Sequence, residues 1–197
     1  MRKGERTRAA VVGKAAAVFN QQGYARTTVS DLVASTGLER GGLYNHFEGK
    51  DALALAAFDH AVALVRARVQ AAVDAAGESA PARLDALVGV FTSLVDDPPL
   101  PGGCPILNAA VESADVFPAL RERARAAMDE LARALAGTAK RGVAAGELRA
   151  DLDHRRLATV VISTMEGAVM LSRLYDDPAR MRVAADHVRA WLREQAT

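Results

Sequence analysis

Thr27-Thr28-Val29-Ser30-Asp31-Leu32-Val33-Ala34-Ser35-Thr36-Gly37-Leu38-Glu39-Arg40-Gly41-Gly42-Leu43-Tyr44-Asn45-His46-Phe47 is the stretch on which the fold turns. Two short apolar patterns with helical spacing meet at a glycine. Val29, Leu32 and Val33 face inward on the first, the second carries Leu43, Tyr44 and Phe47, and Leu38 tucks under the corner. Thr27 or Thr28 can cap the first helix. A tight corner between helices needs positive φ, which Gly37 takes without strain. With Leu32, Leu38, Leu43 and Phe47 pinning the angle, the second helix exposes Arg40, Gly41, Gly42, Tyr44, Asn45 and His46. Such a face can lie in a major groove and offer donors to base edges and phosphates. Gly41 and Gly42 each cost about 1 kcal/mol of helix propensity relative to Ala. A side-chain-free face that lets backbone approach DNA would explain that cost.

Working outward, helical spacing continues in both directions and no strand pattern stands out. Upstream, Val11, Ala15, Val18 and Phe19 form a stripe that Gly23 stops. Downstream, a long helix runs from Lys50 to about Ala76, with Leu53, Ala57, Ala61, Leu64 and Val65 on one side. Pro81 opens a further helix, and Asp96 to Gly103 reads as a loop. Helices follow from about Pro105 to Ser113 and from Pro118 towards Arg141. Gly142 to Asp151 reads as a break, and two last helices cover about Asp153 to Tyr175 and Pro178 to Gln195. The expectation is an all-α chain of about nine helices: a three-helix helix-turn-helix unit over residues 1–49, then a helical ligand-binding and dimerisation domain over 50–197.

Composition agrees. Half of the 197 residues are hydrophobic, enough for a core, and aromatics are only 5%. The net charge of +1 is unevenly spread. The first 50 residues hold eight basic side chains (Arg2, Lys3, Arg6, Arg8, Lys14, Arg26, Arg40 and Lys50) against four acids, a net of +4, so the remainder is at −3. A basic end on a mildly acidic body points to an anionic partner for that end. Cys104 is the single cysteine, which excludes an intrachain disulfide. Leu157 to Leu174 is the longest candidate membrane run, and Thr159, Ser163, Thr164, Glu166, Ser172 and Arg173 interrupt it. A cytoplasmic protein with no membrane partner, no metal and no cofactor is expected.

Thr27, Thr28, Leu32, Val33, Gly37, Leu38, Gly41, Leu43, Tyr44, His46, Phe47, Lys50 and Leu53 together resemble the DNA-binding signature of the TetR family. That signature runs Thr-Thr, an apolar pair, Gly-Val/Leu, then Gly-x-Leu-Tyr-x-His-Phe-x-x-Lys-x-x-Leu. With the helix ending Phe19…Gly23-Tyr24, the likeness covers about a quarter of the chain; the rest resembles the family in length and helix layout. The resemblance implies a DNA interface of Thr27, Thr28, Arg40, Gly41, Gly42, Tyr44, Asn45, His46 and Lys50. Arg40, Gly42 and Asn45 would face bases. Tyr44, His46, Thr28 and Lys50 would hold phosphates, Lys50 at a helix N-terminus. Two positions depart from the signature: Val33 stands for an alanine, and Glu39 for the serine that caps the recognition helix.

One recognition helix buries too little surface to specify a site, so a homodimer on a palindromic double-stranded operator is implied. The next-to-last helix supplies a matching face, since Leu157, Val160, Val161, Thr164, Met165, Ala168, Val169 and Leu171 make it apolar on more than one side. Val183, His187, Val188, Trp191 and Leu192 stripe the last. An effector pocket would draw on Phe58, Val62, Phe91, Cys104, Asn108, Val111, Glu112, Met128, Ser163, Glu166 and Met170, each of which can equally be core or surface. Cys104, ahead of Pro105, would sit at a helix N-terminus where a thiolate is favoured. The expected function is a repressor released from its operator by a small molecule; an activator of the same family and a thiol-based electrophile or redox sensor through Cys104 are the alternatives. An enzyme built on Cys104 and His46, His60, His154 or His187 finds no supporting motif. A helical interaction module without DNA binding is opposed by the intact Tyr44, His46 and Lys50.

Overall fold

Val11, Val12, Ala15 and Ala16 recur at helical spacing along α1 (Lys3–Gln22) and are all buried. They set the first of nine α-helices in a computed structural model that describes residues 3–113 and 116–197. Arg2 of the basic end lies outside the described residues. The helices α2 (Val29–Thr36), α3 (Arg40–Tyr44), α4 (Lys50–Ala75), α5 (Ala80–Asp96) and α6 (Pro105–Ser113) follow. Then come α7 (Pro118–Ala144), α8 (His154–Leu174) and α9 (Ala179–Arg193). The chain divides into two compact units: Met1–Val65 with Pro99–Ala126, and Arg66–Pro98 with Ala127–Thr197. This division by packing differs from a cut after residue 49.

In the first unit α1, α2 and α3 close on one cluster with the start of α4: Val11, Val12, Ala15, Ala16, Leu32, Leu43, Phe47, Leu53, Ala57 and Ala61. Burying a Leu or Phe side chain stabilises by roughly 1.5–3 kcal/mol, so this cluster dominates the unit. In the second unit α5, α8 and α9 pack on one another. Leu84, Leu87, Val88, Leu157, Val161, Met165, Met181 and Val188 are fully buried between them.

Local chemistry explains most boundaries. Pro81 lies in the first turn of α5 and Pro105 begins α6, where a missing N–H costs nothing. Asp153 caps α8, accepting the amides of Arg155 at 2.9 Å and Arg156 at 3.0 Å. The sequence-based stop at Gly142 is corrected: α7 continues to Ala144. Gly142 is needed because a Cβ there would stand 2.6 Å from the Ala80 Cβ and 2.7 Å from Leu148. The turn falls at Gly146, φ 72°.

By length and composition alone α8 is long and apolar enough to cross a membrane, with a mean hydropathy of 1.4 over its best window, a test that the core helix of a folded domain passes as well. Its sequence yields two apolar faces instead. Leu157, Val161, Met165, Ala168 and Val169 are buried, while Val160, Met170, Leu171 and Leu174 are exposed.

Candidate nucleic-acid interface

Thr28 starts the reading element. It is the N-cap of α2 at φ −95°, ψ 163°, and forms a reciprocal capping box with Asp31. The Asp31 amide donates to Thr28 Oγ1 at 3.2 Å, and the Thr28 amide and hydroxyl donate to Asp31 Oδ2 at 2.8 and 2.7 Å. Those bonds from Thr28 hold the Asp31 carboxyl below the usual carboxylate range. Thr27 points the other way. It is 1% exposed, and its hydroxyl donates to the Gly23 carbonyl at 2.6 Å, so it fixes the α1–α2 turn and does not reach solvent.

Gly37 ends α2 at φ 73°, its amide donating to Val33 O. The Lys14 ammonium donates to the Thr36 carbonyl at 3.2 Å, a cation from α1 at the negative end of α2. Leu38 packs against the core cluster, as the corner requires. Glu39 is the N-cap of α3 and makes no side-chain cap bond, so the position that departs from the signature is uncapped.

α3 then presents its outer face. Arg40, Gly41, Tyr44 and Asn45 are exposed, while Gly42, His46 and Lys50 are half-buried. A Cβ at Gly41 would meet nothing within 4 Å; one at Gly42 would meet Leu38 at 3.6 Å. Leu43 and Phe47 are buried and anchor the helix. Arg40 lies over the Tyr44 ring at 5.9 Å, and Arg8 of α1 over Phe47 at 4.7 Å. The structure therefore brings Arg40, Gly41, Tyr44 and Asn45 onto one short surface, with Thr28 at the head of α2.

Lys50 begins α4, and its Nζ stands 4.3 Å from the centre of the Tyr24 ring. Tyr24, outside the DNA interface that the sequence implies, is a hub. It stacks on Phe117 at 4.6 Å, and its hydroxyl donates to Asp51 Oδ1 at 2.5 Å. Burial first, then the bond to Asp51, raises its phenol to about 12. Both carboxylate oxygens of Glu112 on α6 accept main-chain amides, from Tyr24 and from Ala25, at 2.6 Å each. Asn108 donates to Asn20 Oδ1 at 2.9 Å, and Asn20 donates to the carbonyls of Pro101 and Gly103. Asn20 is 8% exposed, and its one signal in the sequence is a polar residue at the end of an apolar stripe.

The ligand candidates scatter. Phe58, Asn108 and Glu112 line a cavity of about 40 Å³ in the first unit, together with Phe19, Asn20 and Tyr24. Val62 and Cys104 are buried outside that lining, and Val111 is exposed. Cys104 precedes α6 as expected, with the Leu107 amide 3.5 Å from its sulfur, but at 2% exposure it meets no solvent. Phe91, Met128, Ser163, Glu166 and Met170 belong to the second unit. There Phe91 and Glu166 are buried, Met128 is half-buried, and Ser163 and Met170 are exposed on α8.

Comparison with known proteins agrees with this geometry. Residues 12–57 match the family described as bacterial regulatory proteins, tetR family, and residues 80–188 match the tetracyclin repressor-like C-terminal domain. An uncharacterised HTH-type transcriptional regulator of Mycobacterium tuberculosis is 32% identical over 175 residues, covering 85% of this chain and 84% of its own. A TetR transcriptional regulator of Chloroflexus aurantiacus is 47% identical and superposes with a TM-score of 0.95 over 100% of this chain and 98% of its own. A cysteine mutant of the TetR-family regulator CifR, complexed with 26-bp double-strand operator DNA, shares the fold at 22% identity. Its TM-score is 0.81 over 92% of this chain and 94% of its own. The chain belongs to the TetR family of DNA-binding transcriptional regulators and is not an enzyme.

Proposed function

We propose that this regulator is a cytoplasmic repressor that binds a palindromic operator as a homodimer and is released by a small molecule. Residues 1–49 read the DNA, and residues 50–197 carry the effector response and the dimer contact. The observation that carries this reading is the tie between α6 and the DNA-reading helices. Glu112 grips the amides that lead from α1 into α2, and the same residue lines the cavity beside α1. A molecule that enlarges that cavity displaces α6, and α6 then moves the α1–α2 turn. Release results because α3 can fill the groove only in one orientation relative to its partner copy.

Arg40 and Asn45 are the donors within reach of base edges, and Arg suits a bidentate contact with guanine. Tyr44 and Lys50 hold phosphates, Lys50 steadied over Tyr24. Support for the dimer comes from α8 and α9, whose exposed Val160, Met170, Leu171, Leu174 and Val183 are apolar side chains without cover in one chain.

Fluorescence anisotropy of the DNA upstream of its own gene, over a salt series, tests the reading. Tight, salt-sensitive binding that needs both half-sites is expected. Tyr44→Ala/Lys50→Ala should weaken it and reduce the salt slope by about 1, because Lys50 is the cation removed. Absence of binding to any DNA at low salt would discard it.

A further inference from the structure

We propose that the groove between α7 and α8 binds an elongated small-molecule anion carrying two or more phosphate or carboxylate charges. The groove lies within the second unit, opens to solvent and offers about 390 Å³. Its floor is made of Ala132, Ala136, Gly137 and Ala158. No side chain there is longer than a methyl group, so a ligand can lie against two helix backbones. Its rim is made of long cations: Arg133 and Lys140 from α7, and Arg155 from the first turn of α8, with His154 beside it.

Among the described residues, the side chains of Arg133, Lys140 and Arg155 make no hydrogen bond or ion pair. Arg66, Arg68, Arg149 and Arg189 of the same unit each close on a carboxylate. The acid in the lining is Asp129, at one end. It stands one turn from Arg133 but eleven residues from Lys140, about 16 Å along the helix at 1.5 Å per residue. Asp129 can offset one cation at most. Lys140 and Arg155 then both line the open groove without a carboxylate partner, and a dianion bound there would neutralise them both. The α8 amides are not the anion donors, because Asp153 already accepts those of Arg155 and Arg156. The site therefore rests on side chains, and Arg supplies the planar fork that phosphate and carboxylate favour.

Calorimetric titration with inorganic pyrophosphate, without DNA, tests the site. Three proteins are compared: the native chain, Arg133→Gln/Lys140→Gln/Arg155→Gln, and Tyr44→Ala/Lys50→Ala, which removes anion contacts from the DNA-reading unit. Pyrophosphate should bind the native chain and the Tyr44/Lys50 variant alike, and the groove variant at least tenfold more weakly. Adenosine diphosphate, which adds a flat ring for the Ala/Gly floor, should bind the native chain more tightly than pyrophosphate. The groove side chains carry no packing, so an unchanged Tm confirms that the groove variant folds. No binding of pyrophosphate, equal binding by the groove variant, or a loss confined to the Tyr44/Lys50 variant would overturn the proposal. So would a groove variant that changes mass in sedimentation, since the groove would then be a contact between copies. No operator enters the measurement, so failure here leaves the regulator reading untouched.

Discussion

A carboxylate that accepts two successive main-chain amides is a fastener, and Glu112 does this from α6 at 2.6 Å on both oxygens. Charge-assisted bonds of this kind contribute about 1.5–3 kcal/mol each when made, less where water competes. Glu112→Gln replaces one acceptor by a donor facing an N–H. It should cost about 1–3 kcal/mol in urea unfolding and speed hydrogen exchange at Tyr24 and Ala25. If those amides stay as protected as in the native chain, Glu112 is not the tie. Tyr24, next in the same cluster, has a pH signature. Its phenol is raised from 10.0 to about 12, chiefly by burial and then by Asp51, so the folded state favours the neutral form. The associated stability is fully present below pH 10 and is lost as pH rises through about 12. Tyr24→Phe should flatten that alkaline loss in a pH series of thermal melts, with about 1 kcal/mol lost at neutral pH for the missing bond to Asp51.

At the scale of the element, two helical glycines make opposite predictions. Gly41 on α3 has open space where a Cβ would go, so Gly41→Ala should add up to about 1 kcal/mol of stability from helix propensity. If the α3 backbone approaches DNA there, the same variant should bind operator at least tenfold more weakly; higher Tm with unchanged operator affinity would remove Gly41 from the interface. Gly142 on α7 has Ala80 and Leu148 in the way. Overpacking costs about 1–3 kcal/mol and outweighs the propensity gain of about 1, so Gly142→Ala should lower Tm. Gly142 also marks the limit of what was legible. Pro81, Pro105 and Gly37 announce their boundaries through local sterics, and the helix-turn-helix is a local element. Gly142 looks like a helix stop until Ala80, 62 positions earlier, is placed against it. Thr27 and Thr28 read alike as caps, and the backbone geometry at Thr28 decides between them. Asn20 and Glu112 hold main-chain groups more than 80 residues away, which composition cannot announce. Val111 and Met170 read as pocket candidates in sequence and are exposed in the fold, because apolar residues on a two-faced helix carry no mark of which face a neighbour covers.

At the scale of the whole molecule the question becomes what covers α8 and α9. Val160, Met170, Leu171 and Leu174 fall on one side of α8, with Ser163 and Gly167 between them, at steps of three and four residues. Val183 adds to this from α9. Leu174 and Val183 are each 71% exposed, which leaves most of their apolar surface in water. In the proposed homodimer a second copy presenting the same stripe would cover both at once, as a two-fold contact requires. Such an interface is apolar at its centre and cannot accept an unpaired charge there. Leu174→Asp therefore places two carboxylates, one from each copy, at or beside the contact. Sedimentation velocity should show the dimer dissociation constant raised at least tenfold, about 1.4 kcal/mol. The monomer should keep its helical content, because Leu174 contributes little to the core of its own chain. Operator affinity should fall with dimerisation and recover at protein concentrations that restore the dimer. A Leu174→Asp protein that remains a dimer at nanomolar concentration would move the contact off this face. Val183→Asp on α9 would then decide whether any of the stripe is covered by a second copy.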